Sequence, residues 1–459
     1  MQFLTLLVFL AVTLSTYLTT IHIAPPALKF FPEALSAVVL ACVVVAGARQ
    51  RFRFVAPRYL FVFFALAVIL ICGVLSNAMQ PGPLVGGIRF YTRAIPLFFL
   101  PAVFEYSESQ VKTQLRLLLA IALLQLPVSA YQRYDVIMHH RWTGDPVAGT
   151  LLISSIMSIF LVACIGIAAA LMLRGQITKR TFLTLFVLFV VPTTINETKG
   201  TIFLLPIGLF LTLLVGSEPH KRMRIGVSAL ALMAVFGALY IPIYNYFSTI
   251  NNPYPYTVED FFSNQKLMRH YLDKESDVGS TGEVGRVDAL TVPLHESASD
   301  PVRLMFGVGI GNSSVSSLGT SYTGEYFRLL GRYAGQSSGA AFLIEAGVLG
   351  LGLVLLLYWL VFIDSLHLAL RDRSIFGTLA LGWVGITAVM AVGTFYKTLH
   401  AFESLSYLFW YFSGLIAAHR QRLALAAPTL TPAPAPAIAA RPPRLGIKPV
   451  LNGQTRFLP

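Results

Sequence analysis

From Met1 to about residue 420 the chain is a succession of apolar runs separated by short polar or basic connectors. A helix needs about 20 mainly apolar residues to cross a bilayer. Runs approaching that length fall at about 2–22, 33–48, 59–77, 87–104, 114–131, 149–173, 180–194, 201–216, 225–246, 338–362, 375–396 and 404–419. The fourth is the weakest, because Arg89 and Arg93 interrupt it. Only 12% of the residues are charged, half of what a water-facing surface normally carries. Mean hydropathy is +0.70. The pattern predicts an all-α polytopic membrane protein with about twelve transmembrane helices. The first run has neither a basic leader nor a small-residue cleavage site, so it is expected to stay as a helix.

The connectors alternate in charge. One set holds sixteen Lys and Arg residues, among them Arg49, Arg58, Arg174, Arg222, Arg371 and Arg420. The other short set holds seven: Lys29, Arg89, Arg93, Arg133, Arg141, Lys199 and Lys397. Basic connectors stay in the cytoplasm, which accounts for the net charge of +13 without nucleic acid as a partner. Both termini are then expected in the cytoplasm. The organisation that follows is residues 1–244 as helices one to nine, 245–337 as one large outer loop, 338–421 as helices ten to twelve, and 422–459 as a tail. The tail is rich in Ala and Pro and then basic, a composition expected to be disordered. Cys42, Cys72 and Cys164 lie in apolar runs with no disulfide or metal spacing.

Charges near a bilayer are costly, so those that persist there are informative. Arg89 and Arg93 are four residues apart and share one helix side. Arg141 lies in HHRWTGDP, Lys199 in NETKGT and Arg286 in STGEVGRVDAL, all on the proposed outer side. Gathered cations over an apolar body suit an anionic lipid headgroup, and a pyrophosphate most of all, because guanidinium forks match phosphate oxygens. Plainer roles fit each residue as well. Arg89 and Arg93 can snorkel to the interface, Lys199 can anchor a helix end, and Arg286 can pair with Glu283 or Asp288. The long loop carries seven basic and ten acidic residues, so it is no polybasic patch. Its FGVGIGNSS reads as a tight turn, not as a nucleotide-binding element. His270 and His295 lack a ligand-spaced partner, so no metal is expected. Glu345, inside the tenth helix, fits either a buried hydrogen-bond partner or a site residue, and the first is preferred.

Four segments then occur in an order that carries a resemblance: RWTGDPVAGTLLISSIMSIFLV, NETKGTIFLLPIGLFL, GEVGRVDALTVPLHESASDPVRLMFGVGIGN and QSSGAAFLIEAGVLGLGLVL. Together they resemble the O-antigen ligase and polysaccharide polymerase superfamily of bacterial membrane glycosyltransferases, over most of residues 1–420. The resemblance implies an inner-membrane protein with its large loop in the periplasm. It also implies a metal-independent transfer needing no cofactor. The donor would be a glycan on undecaprenyl pyrophosphate, the acceptor another glycan hydroxyl, and other polysaccharide assembly proteins possible partners. By the same match, Arg286 and Lys199 would contact the pyrophosphate, Arg141 is a further substrate-binding candidate, and Gln336 would sit near the acceptor. Gln336 stands where ligases of the family carry His. It can donate and accept hydrogen bonds but takes no proton near neutral pH. That departure favours a repeat-unit polymerase for exopolysaccharide, capsule or O-antigen over a ligase acting on a lipid A core. A non-enzymatic transporter or flippase is the third expectation.

Overall fold

The computed structural model describes residues 1–50, 53–139, 146–250, 257–265, 284–316 and 319–426, and these form helices and turns with no strand among them. In chain order the first helices are α1 (Gln2–Thr20), α2 (Phe31–Gln50), α3 (Pro57–Ser76), α4 (Pro81–Thr92) and α5 (Ile95–Val103). Next come α6 (Glu108–Met138), α7 (Ser154–Leu173), α8 (Lys179–Ile195), α9 (Thr201–Gly216) and α10 (Arg222–Thr249). The long connection that follows contains short helices α11 (Val258–Ser263), α12 (Asp288–Ser297), α13 (Pro301–Phe306) and α14 (Phe327–Ala334). The last three are α15 (Ser338–Arg371), α16 (Ile375–Gly393) and α17 (Glu403–Ala426). Among the described residues, eight helices are long and apolar enough to cross a membrane: α1, α2, α3, α6, α7, α10, α15 and α16. The chain is thus an all-helical bundle of the kind that multi-pass membrane proteins form.

Two helices sit inside the others. In α7 and α16 the apolar stretches are 89% and 83% buried, against 17% in α3 and α10. The outer helices turn large apolar side chains outward, including Phe61 and Leu75 of α3 and Met223 and Leu230 of α10. That is the arrangement of helices whose solvent is lipid. Small residues let the inner backbones close up, since lipid provides no hydrophobic drive between helices. A Cβ on Gly385 of α16 would lie 2.1 Å from the Gly208 carbonyl oxygen of α9.

Several expected spans have different shapes. The single fourth helix is two, α4 and α5, because Pro96, the second residue of α5, has no N–H to donate to the carbonyl four residues back in α4. The fifth run grows to 31 residues in α6, started by a Ser107–Gln110 capping box. At 1.5 Å per residue it is about 46 Å long, well beyond the roughly 30 Å hydrocarbon core of a bilayer. The last helix continues to Ala426, so helix replaces the first five residues of the expected tail. The remaining tail, 427–459, lies outside the described residues.

The tenth helix is broken. Gly347 has φ +70 and ψ −173 within α15, and the interruption is filled by chain. Val308 N–H donates to the Ile344 carbonyl at 2.8 Å and Gly309 N–H to that of Glu345 at 3.1 Å. Glu345 is fully buried. Its carboxylate accepts from Gly311 N–H (2.8 Å), Ser313 N–H (3.1 Å), Ser313 Oγ (2.8 Å) and Ser314 Oγ (2.7 Å). The FGVGIGNSS segment is therefore a plug: left-handed Gly307, Gly309 and Gly311 turn its amides onto the broken helix and its carboxylate. Glu345 is a hydrogen-bond partner within that plug.

The basic connectors gather at one end of the bundle. Asp364, buried there, takes Arg58 at 2.5 Å, Tyr59 at 2.9 Å and also Arg420. His419 meets Asp372 at 3.2 Å, and Arg422 donates to the Pro101 carbonyl at 2.6 Å. The other end holds Lys29, Arg89, Arg93, Arg133, Lys199, Arg286 and Lys397.

Candidate functional site

At that second end, three loop segments and the start of α7 border a cavity of about 350 Å³. Lys199, Arg286 and Lys397 line it, together with Glu197, Tyr396, Ser154 and Ser155. Of the residues singled out in the sequence, Lys199 and Arg286 share this space. Gln336 joins them through its amide oxygen, which accepts from Arg286 Nη1 at 2.7 Å. Gln336 sits directly before Ser337, whose hydroxyl caps α15 by accepting from Ala340 N–H at 3.1 Å. The broken helix thus carries at its tip the residue that holds Arg286.

The turn bearing Lys199 is pinned from inside. Asn196 donates to the Ser154 carbonyl and to Ser158 Oγ, both at 2.9 Å, while its own oxygen accepts from Thr198 N–H at 3.1 Å. Tyr240 of α10 donates to the Thr198 carbonyl at 2.8 Å. Lys199 Nζ then lies 5.8 Å from the Tyr244 ring centre and 5.3 Å from that of Phe261. The Arg286 guanidinium lies 5.3 Å from the Tyr396 ring. Both cations are within cation–π range of an aromatic face.

Two charged residues of the lining are not among the candidate site residues of the sequence. Lys397 is there only a connector charge, and its proximity to Arg286 depends on a turn that bonds to α15. There Ser338 N–H donates to the Lys397 carbonyl at 3.1 Å and Gly339 N–H to that of Thr394 at 2.8 Å. Glu197, two residues before Lys199, has φ +58 and pairs with the buried Arg133 at 2.7 Å. Its sequence signal was a carboxylate inside an otherwise cationic turn. Lys199, Arg286 and Lys397 thus share the cavity with Glu197, whose carboxylate is paired with Arg133.

Arg89 and Arg93 line a second cavity, of about 250 Å³, rather than the first. Both are paired with carboxylates that the sequence reading did not connect to them. Arg89 makes a fork onto Glu33, Nε to Oε2 at 2.8 Å and Nη2 to Oε1 at 2.7 Å. Arg93 donates to Glu33 at 3.1 Å, to Glu403 at 2.6 Å and to the Ala401 carbonyl at 2.5 Å. These bonds tie α2, α4 and α17 together. Leu152 lines both cavities. Its φ of +66 is uncommon for a residue with a side chain. Two glutamines of α6 set the approach to it. Gln132 Oε1 accepts from Ala148 N–H (2.9 Å) and Gly149 N–H (2.7 Å), and Gln125 Oε1 from Thr150 N–H (2.8 Å).

Arg141 lies outside the described residues, as does His270. His295 lies on α12, and no group of three or more His, Cys, Asp or Glu among the described residues is arranged to hold a metal ion. His400, in the turn between α16 and α17, rests on Tyr91, with ring centres 5.3 Å apart, and its Nδ1 is 2.7 Å from Ser338 Oγ. Burial, with Arg93 adding to it, pushes its pKa down to about 3, so it is a neutral imidazole near pH 7. No protein-family model matches the chain, and no curated protein matches it.

Proposed function

We propose that the chain is a multi-pass glycosyltransferase of the bacterial inner membrane, polymerising lipid-linked polysaccharide repeat units at the periplasmic face. On this reading all twelve runs cross the bilayer, with α4 and α5 together making one pass. Both termini face the cytoplasm, and the 245–337 connection lies outside. The observation that carries the reading is the gathering of Lys199, Arg286 and Lys397 around one cavity, with Gln336 bonded to Arg286.

The chemistry suits that charge. The donor is a glycan on undecaprenyl pyrophosphate. An acceptor hydroxyl oxygen attacks the anomeric carbon. The carbon–oxygen bond to pyrophosphate breaks with its electron pair on the leaving oxygen, and the hydroxyl proton passes to a base or to water. Negative charge grows on the pyrophosphate as the bond breaks, so fixed cations stabilise the transition state more than the ground state. A well-placed donor of this kind contributes about 3–4 kcal/mol. Arg286 and Lys199 are assigned to the pyrophosphate, and Lys397 beside them. Gln336 is assigned to positioning, because its oxygen fixes the Arg286 fork. Arg141 keeps its assignment from the resemblance alone.

One observation speaks for a transporter: a helix broken within the bundle beside a buried carboxylate, the usual setting of a transport site. The occupancy of that break weighs against it. The carbonyls freed at Gly347 and both Glu345 oxygens already hold partners from the 308–314 plug. The test is the species that accumulates on deletion. A polymerase leaves single repeat units on undecaprenyl pyrophosphate, a ligase leaves finished polymer there, and a flippase leaves units facing the cytoplasm. Either of the last two outcomes overturns the polymerase reading.

A further inference from the structure

The second cavity has a different chemical character from the first. Glu33 and Glu403 engage both Arg89 and Arg93, and Lys29 lines the same space, so the cavity is rich in both donors and acceptors. A pyrophosphate would compete there with two carboxylates for both guanidiniums. Sugar hydroxyls both donate and accept, and a lattice of carboxylates and guanidiniums serves both. The volume of about 250 Å³ is a little below the roughly 300–1,000 Å³ of sites for larger small molecules. Phe30 and Phe402 supply apolar walls, which suit the C–H faces of a pyranose ring.

The two cavities meet at Leu152, and the backbone there is held in the left-handed region. Such conformations persist only where the surroundings enforce them, and they concentrate at functional sites. The Gln125 and Gln132 side-chain amides hold residues 148–150, just before it in the chain. A transfer between two glycans requires two adjoining spaces, one for the leaving anion and one for the neutral acceptor, with the reacting carbon at their boundary.

We infer that the cavity formed by Glu33, Arg89, Arg93 and Glu403 is the subsite for the acceptor glycan, and that Leu152 is the partition over which its hydroxyl reaches the donor. This rests on the glycosyltransferase reading of the first cavity. Arg89 and Arg93 then bind sugar hydroxyls together with their carboxylate partners, rather than the pyrophosphate.

The test uses the full chain in cells that make its native glycan. Para-benzoylphenylalanine, which inserts into nearby C–H bonds under light, replaces Phe402 in one strain and Tyr396 in another, and the captured adducts are mapped by mass spectrometry. The expected result is a bond to a sugar residue from position 402 and to prenyl pyrophosphate from position 396. If position 396 captures the lipid pyrophosphate while 402 captures phospholipid or nothing, the acceptor subsite is wrong and the donor site stands. If position 396 captures no lipid pyrophosphate, the glycosyltransferase reading falls and the inference with it. Thr16, on another wall of the second cavity, takes the probe if position 402 does not tolerate it. In a second arm, Leu152→Trp is expected to lower transfer at least tenfold while capture at 396 persists. Unchanged transfer in a well-inserted Leu152→Trp protein overturns the role of the partition.

Discussion

Arg286 and Gln336 stand fifty positions apart in the chain and are joined by a single 2.7 Å hydrogen bond from guanidinium to side-chain amide oxygen. One belongs to the turn before α12, the other to the residue before the α15 cap. On the proposed reading this bond gives the Gln336 amide its role: it aims a cation. A hydrogen bond to a charged group contributes roughly 1.5–3 kcal/mol. Gln336→Ala is therefore expected to weaken binding of undecaprenyl pyrophosphate by about tenfold or more, as 1.4 kcal/mol is a factor of ten. Gln336→His, which retains an acceptor nitrogen, is expected to keep most of it. Titration of the purified chain in nanodiscs measures both. Equal affinity for wild type and Gln336→Ala would remove the positioning role.

Arg133 and Glu197 form a pair with only 4% and 15% of their side chains exposed. Removing one partner of a buried pair leaves an uncompensated charge, at a cost of about 3–5 kcal/mol. Glu197→Gln should thus lower the thermal melting temperature in detergent clearly. Adding Arg133→Gln should recover part of the loss, because the stranded charge goes with it. A double variant no more stable than Glu197→Gln contradicts the pairing as the source.

His400 supplies a pH dependence. Its pKa lies at about 3 in the folded chain against an ordinary 6.5, so the unfolded chain takes up the proton first as pH falls. The stabilisation from the neutral ring is complete above about 6.5 and is lost progressively down to about 3. Melting temperature is expected to fall between pH 7 and pH 5, where most carboxylates are still ionised. The His400→Asn protein should show a flatter profile over that window. Parallel profiles for the two proteins would contradict this assignment.

Gly347 allows the break in α15. A Cβ there would stand 2.3 Å from the Met305 carbonyl oxygen, on a backbone with φ +70. That backbone conformation, with ψ −173, is essentially reserved to glycine and costs a residue with a Cβ about 1–3 kcal/mol, and the close backbone adds to it. Gly347→Ala is expected to lower the melting temperature and to loosen the 308–314 plug, read as faster hydrogen exchange at Gly309 and Gly311. Unaltered exchange would show that the plug does not depend on the break.

Most of the long helices were legible in the sequence because each is a largely apolar run, and the connectors because polar and basic residues interrupt those runs. Residues fixed by long-range contact were less so. Glu33 and Glu403 lie 60 and 310 positions from Arg93, and neither belongs to a local pattern that names Arg93 as its partner. The charge of Arg89 and Arg93 was visible, but the neutralisation that changes their chemistry was not. Lys199, Arg286 and Gln336 were noticed because they stand in recognisable segments. What joins them is the tip of the broken α15, and the φ of Gly347 that breaks it has no sequence signal beyond a glycine in a glycine-rich run. The Pro96 break was readable in principle, since a proline two residues after Ala94 marks a new helix start.

The central claim is that this chain forms glycosidic bonds with lipid pyrophosphate as leaving group. The most direct measurement supplies the purified full chain, in nanodiscs, with lipid-linked repeat units extracted from its own cells and no other protein. The account predicts a ladder of longer lipid-linked glycans with release of undecaprenyl pyrophosphate, and only single units with a folded Arg286→Ala protein. Single units remaining unchanged with wild type, or an equal ladder with Arg286→Ala, would contradict it.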